Sequence, residues 1–296
     1  MNRLKANMLL MLTAMIWGTA FVAQHTSMEN IGPHFFTGIR FLLGGLVVLP
    51  FGLRELSKNK SLSIDLSLRD FVGMCLCGLF IYLASILQQI GIRLTSVTNA
   101  GFLTGLYVPL VPLMLLVFWR KLPHWSIWPS VIGCLVGTYY LSGGNLSRLS
   151  TGDYWMIISA VFWASQIIAV GFVVRTSKAP LLLAAVQFIV CGLLGILGGF
   201  IFETFSFANI MNAGFEILYA GVLSVGVAFT LQAVAQTHTG QADAAIIMSG
   251  ETLFAALAGA ILLGERLSVM GYFGCAVIFI SILSVELLPL WRRKTT

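Results

Sequence analysis

Apolar residues fall along the chain in ten windows of about twenty residues, at 7–26, 34–53, 70–92, 98–119, 125–142, 154–175, 180–201, 215–236, 243–263 and 268–288. A helix of that length, rising 1.5 Å per residue, crosses a hydrocarbon core of about 30 Å. The segments between the windows are short and hold most of the charged residues. The pattern predicts an all-α integral membrane protein with ten transmembrane helices. Pro109, Pro112, Pro123 and Pro129 interrupt the fourth and fifth windows, and the first two predict a kinked fourth helix. The ninth window stands out. Residues 242–267, ADAAIIMSGETLFAALAGAILLGERL, are long enough to span, yet Glu251 lies well inside the run, eight residues on from Asp243. An ionised carboxylate at such depth costs a few kcal/mol, so the acid is protonated, paired or facing water.

Composition agrees with the pattern: 58% of residues are hydrophobic and 9% charged, against about 25% charged in soluble domains. Ten spans put both termini on one side. Arg3, Lys5, Arg54, Lys58, Lys60, Arg69, Arg120, Lys121, Arg175, Lys178, Arg292, Arg293 and Lys294 fall on that side, 13 of the 17 basic residues. Arg93, Arg148 and Arg266 fall on the other, and Arg40 lies within a span. The positive-inside rule therefore predicts cytoplasmic termini. The net charge of +6 is read as topology and not as the footprint of a nucleic-acid partner. The basic start and apolar run of MNRLKANMLLMLTAMIWGTAF resemble a signal peptide. The segment is expected to be retained, because it has an internal counterpart.

That counterpart belongs to a repeat. AMIW ending at Trp17 matches AVFW ending at Trp163, and IRFLLGG from Ile39 resembles VQFIVCG from Val186. Leu87 and Gln88 correspond to Leu231 and Gln232; Thr95, Asn99 and Ala100 correspond to Thr239, Asp243 and Ala244; Gly133 and Cys134 correspond to Gly274 and Cys275. The matches keep one order at offsets of 141 to 147. Five spans per unit is odd, so the second copy enters the membrane in the opposite sense. The expectation is two inverted five-helix repeats, 1–147 and 148–296, forming one integrated unit around a central cavity. This is the architecture of secondary transporters, with a site near the bilayer midplane.

Three stretches carry a resemblance to a known family: TAMIWGTAF in the first span, GIRFLLGGL in the second, and ETLFAALAGAILLGERLSVMGYFGC over residues 251–275. With these the chain resembles the EamA-type branch of the drug/metabolite transporter superfamily over essentially its whole length. Where that family often repeats an acid-containing turn in its first half, this chain has Trp119-Arg120-Lys121-Leu122-Pro123. The resemblance implies ten helices, a cavity lined by the first four helices of each half, and peripheral fifth and tenth helices. It also implies export or exchange of small metabolites across an inner or plasma membrane. A monomer or homodimer embedded in lipid is expected. It leaves the substrate open.

The candidate site residues are the polar and aromatic side chains within the spans: Trp17, Arg40, Tyr82, Gln88, Asn99, Tyr107, Trp163, Gln166, Gln187, Gln232 and Glu251. Glu251 reads as a contact for a substrate amine or a proton-coupling acid, or else as a structural acid bonding a neighbouring helix. Arg40 reads as a fork for a substrate carboxylate, or as a side chain that snorkels outward. The repeat register sets Tyr107 opposite Glu251 and Gln187 opposite Arg40, so neither charge is a requirement of the repeated scaffold. An Arg and a Glu within the spans suit the two ends of a zwitterion, making amino acids and related compounds the leading substrate class. Exchange of nucleotide-linked or phosphorylated metabolites, or multidrug-type export, is the runner-up. Cys75, Cys77, Cys134, Cys191 and Cys275 lie in apolar segments without metal spacing. His25, His34, His124 and His238 sit at span edges. Neither a phosphate-binding loop nor a cluster of His, Asp or Glu marks an ATP-driven pump, a metal site or a membrane enzyme, so no cofactor and no enzymatic activity are expected. Gly101 and Gly105, Gly133 and Gly137, and Gly192, Gly195 and Gly198 are spaced to let helices approach closely.

Overall fold

The computed structural model describes residues 1–61, 66–95, 97–121, 125, 127–141, 150–264, 266 and 268–293, with backbone alone at 98, 99, 141 and 285–293. All regular structure among them is helical. The elements are α1 (Arg3–Ser27), α2 (Pro33–Ser61), α3 (Leu68–Ile92), α4 (Val97–Thr104), α5 (Tyr107–Trp119), α6 (Ile127–Leu141), α7 (Thr151–Ser177) and α8 (Pro180–Phe202). They continue with α9 (Phe207–Asn212), α10 (Gly214–Leu218), a π-helical segment (Tyr219–Phe229), α11 (Thr230–Gln236), α12 (Gln241–Met248), α13 (Glu251–Leu262) and α14 (Val269–Arg293).

Eight segments are long and apolar enough to cross a membrane: α1, α2, α3, Ala100–Trp119, α7, α8, Gly214–Gln236 and Gln241–Leu262. Val269–Ser284 is a shorter apolar helix, and the expected fifth span is the 15-residue α6. Helix starts are specified locally. Asn2 caps α1, and Ser67 with Asp70 and Ser150 with Asp153 form capping boxes at α3 and α7. Arg54, Lys58 and Lys60, expected in a loop, lie instead in the last turns of α2.

Two further expectations are corrected. The fourth span is interrupted, not merely kinked. Pro109 offers no N–H to the carbonyl of Gly105, four residues earlier, and its ring crowds that carbonyl. The helix stops at Gly105 and Leu106 and restarts at Tyr107. The ninth span breaks at Ser249 and Gly250, so Glu251 opens a new helix and does not sit inside a continuous one. Both breaks tighten to three-residue hydrogen bonds: Leu106 N to Leu103 O at 3.2 Å and Val108 N to Gly105 O at 3.0 Å, against Gly250 N to Ile247 O at 3.2 Å and Thr252 N to Ser249 O at 3.1 Å. These bonds match at the same offset that pairs Gln88 with Gln232. The eighth span also departs from a plain α-helix. Carbonyls in its π-helical stretch turn toward α1, where Trp17 Nε1 donates to Ser224 O at 3.2 Å and Thr13 Oγ1 to Ala228 O at 3.1 Å. Wide π-turns of this kind recur where a functional side chain must be accommodated.

The most extensive helix contact joins α2 and α8. A Cβ on Gly195 would lie 2.6 Å from Gly38 Cα, and one on Gly192 would lie 2.8 Å from Leu42 N. The small-residue spacing thus lets the two backbones touch. At one end of this antiparallel pair, Glu203 accepts from the N–H groups of His34 (2.7 Å) and Phe35 (3.0 Å). At the other, Glu55 accepts from Leu181 (2.9 Å) and Leu182 (3.0 Å). Each helix therefore lends a carboxylate to the other's N-terminus, where unbonded N–H groups and the helix dipole both favour an anion. The α3–α7 pair is tied likewise: Asp70 accepts from Thr176 at 2.6 Å, and Asp153 from Thr95 at 2.9 Å. At the periphery, α6 packs along α14, where a Cβ on Gly137 would meet Gly274 O at 2.8 Å.

Thermal unfolding in detergent tests the reciprocal caps. Glu55→Ala and Glu203→Ala are each expected to destabilise by about 1–2 kcal/mol, the range for a lost N-cap. Because the caps lie at opposite ends of the pair, the double variant should show the sum. Gly195→Val, which drives a side chain into the Gly38 backbone, should cost more than either.

Candidate functional site

The two breaks face each other across the interior. Tyr107 opens α5 and Glu251 opens α13, and both line one cavity. The walls come from α1 (Trp17, Phe21, Gln24), α2 (Arg40), α3 (Gln88), α4 (Thr104), α7 (Trp163, Gln166, Ile167) and the π-helical segment (Ser224, Phe229).

One wall is aromatic. Phe229 lies 4.4 Å from Trp17 and 5.8 Å from Trp163 between ring centroids, nearly parallel to the latter at 18°. The repeat-related tryptophans thus hold one phenylalanine between them. Their indole N–H groups are committed to the protein: Trp17 donates to Ser224 O, and Trp163 to Gln88 Oε1 at 2.5 Å. The ring surfaces are therefore their contribution to the cavity.

Two ionisable side chains share this space. Arg40 is 4% exposed, and its guanidinium carbon sits 5.0 Å from the Phe36 ring centroid and 5.2 Å from that of Phe41. Its Nε has no hydrogen-bond partner, and no carboxylate lies within ion-pair distance among the described residues. Glu251 is equally buried at 4% exposure, and its Oε1 has no partner. The Tyr107 hydroxyl lies beside this carboxyl, close enough to act on it electrostatically but outside the geometry of a formed hydrogen bond. A buried ion without a counter-ion is costly by several kcal/mol, so both groups call for a ligand, water or a proton. Stacking of Arg40 against two rings recovers part of that cost.

Of the residues expected at the site, Trp17, Arg40, Gln88, Tyr107, Trp163, Gln166 and Glu251 line the cavity. Gln187 and Gln232 stand behind its wall, completing a chain in which Gln232 Nε2 donates to Gln166 Oε1 (3.1 Å) and Gln166 Nε2 to Gln187 Oε1 (3.3 Å). These two glutamines are the interhelical bonds that polar span residues commonly form. Tyr82 is directed away, within 3.3 Å of His34 Nδ1. The Asn99 side chain lies outside the described residues. Phe21, Gln24, Thr104, Ile167, Ser224 and Phe229 were not anticipated. Phe21 and Gln24 follow Trp17 at helical spacings of four and seven, a readable signal. Ser224 and Phe229 are five apart, a spacing that shares a face only on a π-helix. Among the described residues no group of three His, Cys, Asp or Glu is placed to hold a metal ion.

Known proteins resemble this chain over part or nearly all of its length. A transporter of Archaeoglobus fulgidus is 30% identical over 286 residues, 97% of this chain and 87% of its own. The inner membrane transporter YicL of Salmonella typhimurium is 24% identical over 294 residues, 94% of this chain and 93% of its own. An S-adenosylmethionine/S-adenosylhomocysteine transporter of Chlamydia trachomatis is 33% identical over 144 residues, 46% of this chain and 41% of that protein. A solved structure with a TM-score of 0.77 covers 99% of both chains at 18% identity and so shares the fold. The pattern described as the EamA-like transporter family matches twice, over residues 4–143 and again over 150–287. Taken twice over nearly all of its length, that match shows that the chain belongs to the EamA-like transporter family.

Proposed function

We propose that this membrane transporter moves a small zwitterionic metabolite, an amino acid or a related compound, by alternating access. The observation that carries the reading is the pairing of Arg40 and Glu251 in one cavity, both buried and neither neutralised by the other. A guanidinium offers a planar fork matched to a carboxylate, and a carboxyl beside a phenol suits an amine or another cation. On this reading the chain spans the membrane ten times as two inverted units, 1–147 and 148–296. Both termini are cytoplasmic and the protein sits in a bacterial-type inner membrane. The basic-residue asymmetry and the matching breaks of the fourth and ninth spans support that topology. On this reading the protein acts as a carrier, as its family and the transporter-named relatives support.

A second reading is favoured by the aromatic wall. The rings of Trp17, Phe229 and Trp163 suit a flat heteroaromatic group, and the relative named as an S-adenosylmethionine/S-adenosylhomocysteine transporter handles an amino acid joined to a nucleoside. Such a substrate also presents a carboxylate and cationic centres. A multiply phosphorylated substrate fits less well, since Arg40 is the one basic residue among the cavity-lining residues.

Purified protein screened against metabolites by thermal shift should select compounds bearing both a carboxylate and a cationic nitrogen or sulfur. Arg40→Gln should weaken their binding at least about tenfold, near 1.4 kcal/mol, while sparing analogues that lack the carboxylate. Selection of polyanions or of plain hydrophobic cations would overturn the zwitterion reading. In proteoliposomes, Glu251→Gln should abolish flux driven by a proton gradient while substrate exchange persists at raised substrate concentration. Intact proton-driven flux in that variant would rule out Glu251 as the coupling acid.

A further inference from the structure

Ten residues before each cavity tryptophan, about 15 Å along the helix, stands a polar residue that reaches across to the other half of the chain. On α1, Asn7 Oδ1 accepts a hydrogen bond from Thr239 Oγ1 at 2.8 Å. On α7, Asp153 Oδ1 accepts one from Thr95 Oγ1 at 2.9 Å. Asn7 and Asp153 are 146 residues apart, and Thr95 and Thr239 are 144 apart, the offsets that relate Trp17 to Trp163 and Gln88 to Gln232. The same contact is thus made twice. Each threonine sits in the short turn between a cavity-lining span and a broken helix: Thr95 between α3 and α4, Thr239 between α11 and α12. Each acceptor lies near the start of the opposing unit's first helix.

The copies differ in charge. Beside Asn7, one turn toward the N-terminus, Arg3 Nη2 pairs with Asp243 Oδ2 at 3.0 Å, with side-chain exposures of 45% and 19%. At the other copy the acceptor itself is anionic, and the residues matching Arg3 and Asp243 are Leu149 and Asn99. The α1 copy thus includes an ion pair and a hydrogen bond between neutral side chains, and the α7 copy a bond to a carboxylate.

We propose that these contacts are the two gates of the transport cycle: Arg3–Asp243 with Asn7–Thr239 close the cytoplasmic mouth of the cavity, and Thr95–Asp153 closes the opposite mouth. The assignment rests on the alternating-access reading given above. Each clasp joins the two halves beyond the cavity on its own side, so that parting one admits solvent from that side while the other stays shut. Both acceptors stand ten residues from the cavity tryptophans, so their role is to position the halves.

The test uses full-length protein in which Cys75, Cys77, Cys134, Cys191 and Cys275 are replaced by serine and Ser224→Cys reports from the cavity wall. Labelling by a membrane-impermeant maleimide is timed in right-side-out and inverted vesicles. Asp243→Asn should raise the rate from the cytoplasmic face by about twofold to fivefold, the span open to a partly exposed ion pair, without raising it from the other face. Thr95→Val should do the converse. The exchange Arg3→Asp with Asp243→Arg should restore the parent rate, a rescue that a merely misfolded protein would not show. If Asp243→Asn fails to fold, Arg3→Gln removes the same pair and is read in its place. Unchanged rates, equal acceleration at both faces, or failure of the charge exchange to rescue would overturn the clasps. Alternating access fails separately, if the parent protein labels from one face alone and the opposite clasp variant does not open the other.

Discussion

Hydrocarbon supplies no hydrogen bonds, so every backbone N–H and C=O within the membrane must find its partner inside the protein. That constraint explains why the described residues form helices and where those helices are allowed to fail. The breaks before Tyr107 and Glu251 occur beside the cavity, and the freed groups are largely recovered by tightening to three-residue bonds such as Val108 to Gly105 and Thr252 to Ser249. The π-helical stretch meets the constraint differently, handing the carbonyls of Ser224 and Ala228 to side chains of α1. At the helix ends, Glu55 and Glu203 supply acceptors for N–H groups of the partner helix's first turn.

Against this shared backbone the halves carry different chemistry. The breaks occupy matching positions, yet one opens on a phenol and the other on a carboxylic acid. Arg40 enters the cavity, whereas its repeat partner Gln187 bonds to Gln166 behind the wall. The same holds for Gln88, which faces the cavity and accepts from Trp163, and Gln232, which does not face it. A duplicated scaffold therefore encloses an asymmetric site. This is what a substrate with unlike ends requires, since a site with true twofold symmetry would present the same group to both.

Much of this was legible in the sequence, for identifiable reasons. Span-length apolar windows, the order of the repeat and the depth of Arg40 and Glu251 depend on composition and spacing alone, and seven of the proposed site residues line the cavity. Tyr82, Gln187 and Gln232 are as polar and as deep as the rest, and only the rotation of their helices turns them elsewhere. Phe229 was hidden because a π-turn shifts the face that a 3.6-residue period would assign. The break before Glu251 was hidden because Ser249 and Gly250 are ordinary within membrane helices, whereas Pro109 at least announced a disturbance. Glu55 and Glu203 passed without notice because a carboxylate at a span edge looks like surface until its partner helix is known.

The relative strength of the ties bears on which parts can move. The α2–α8 pair is held at both ends by a carboxylate accepting two N–H groups, and between them by glycine backbones in contact. Parting these helices would leave charged acceptors and helix N-termini bare together, at a cost of several kcal/mol. The ties between α1 and the turn before α12 include Asn7–Thr239 and Arg3–Asp243, and those between α7 and the turn after α3 include Asp153–Thr95. Such bonds exchange readily with water, for a net change of about 1 kcal/mol apiece. A rocking motion in which α2 stays on α8 while α1 and α7 shift at these side-chain contacts would spare the reciprocal caps. Arg40 rides on the fixed pair, while Glu251 and both tryptophans ride on or against the helices that yield. Motion of this kind would change the distance between the cavity's two charges, which is how a carrier could release one end of its substrate before the other.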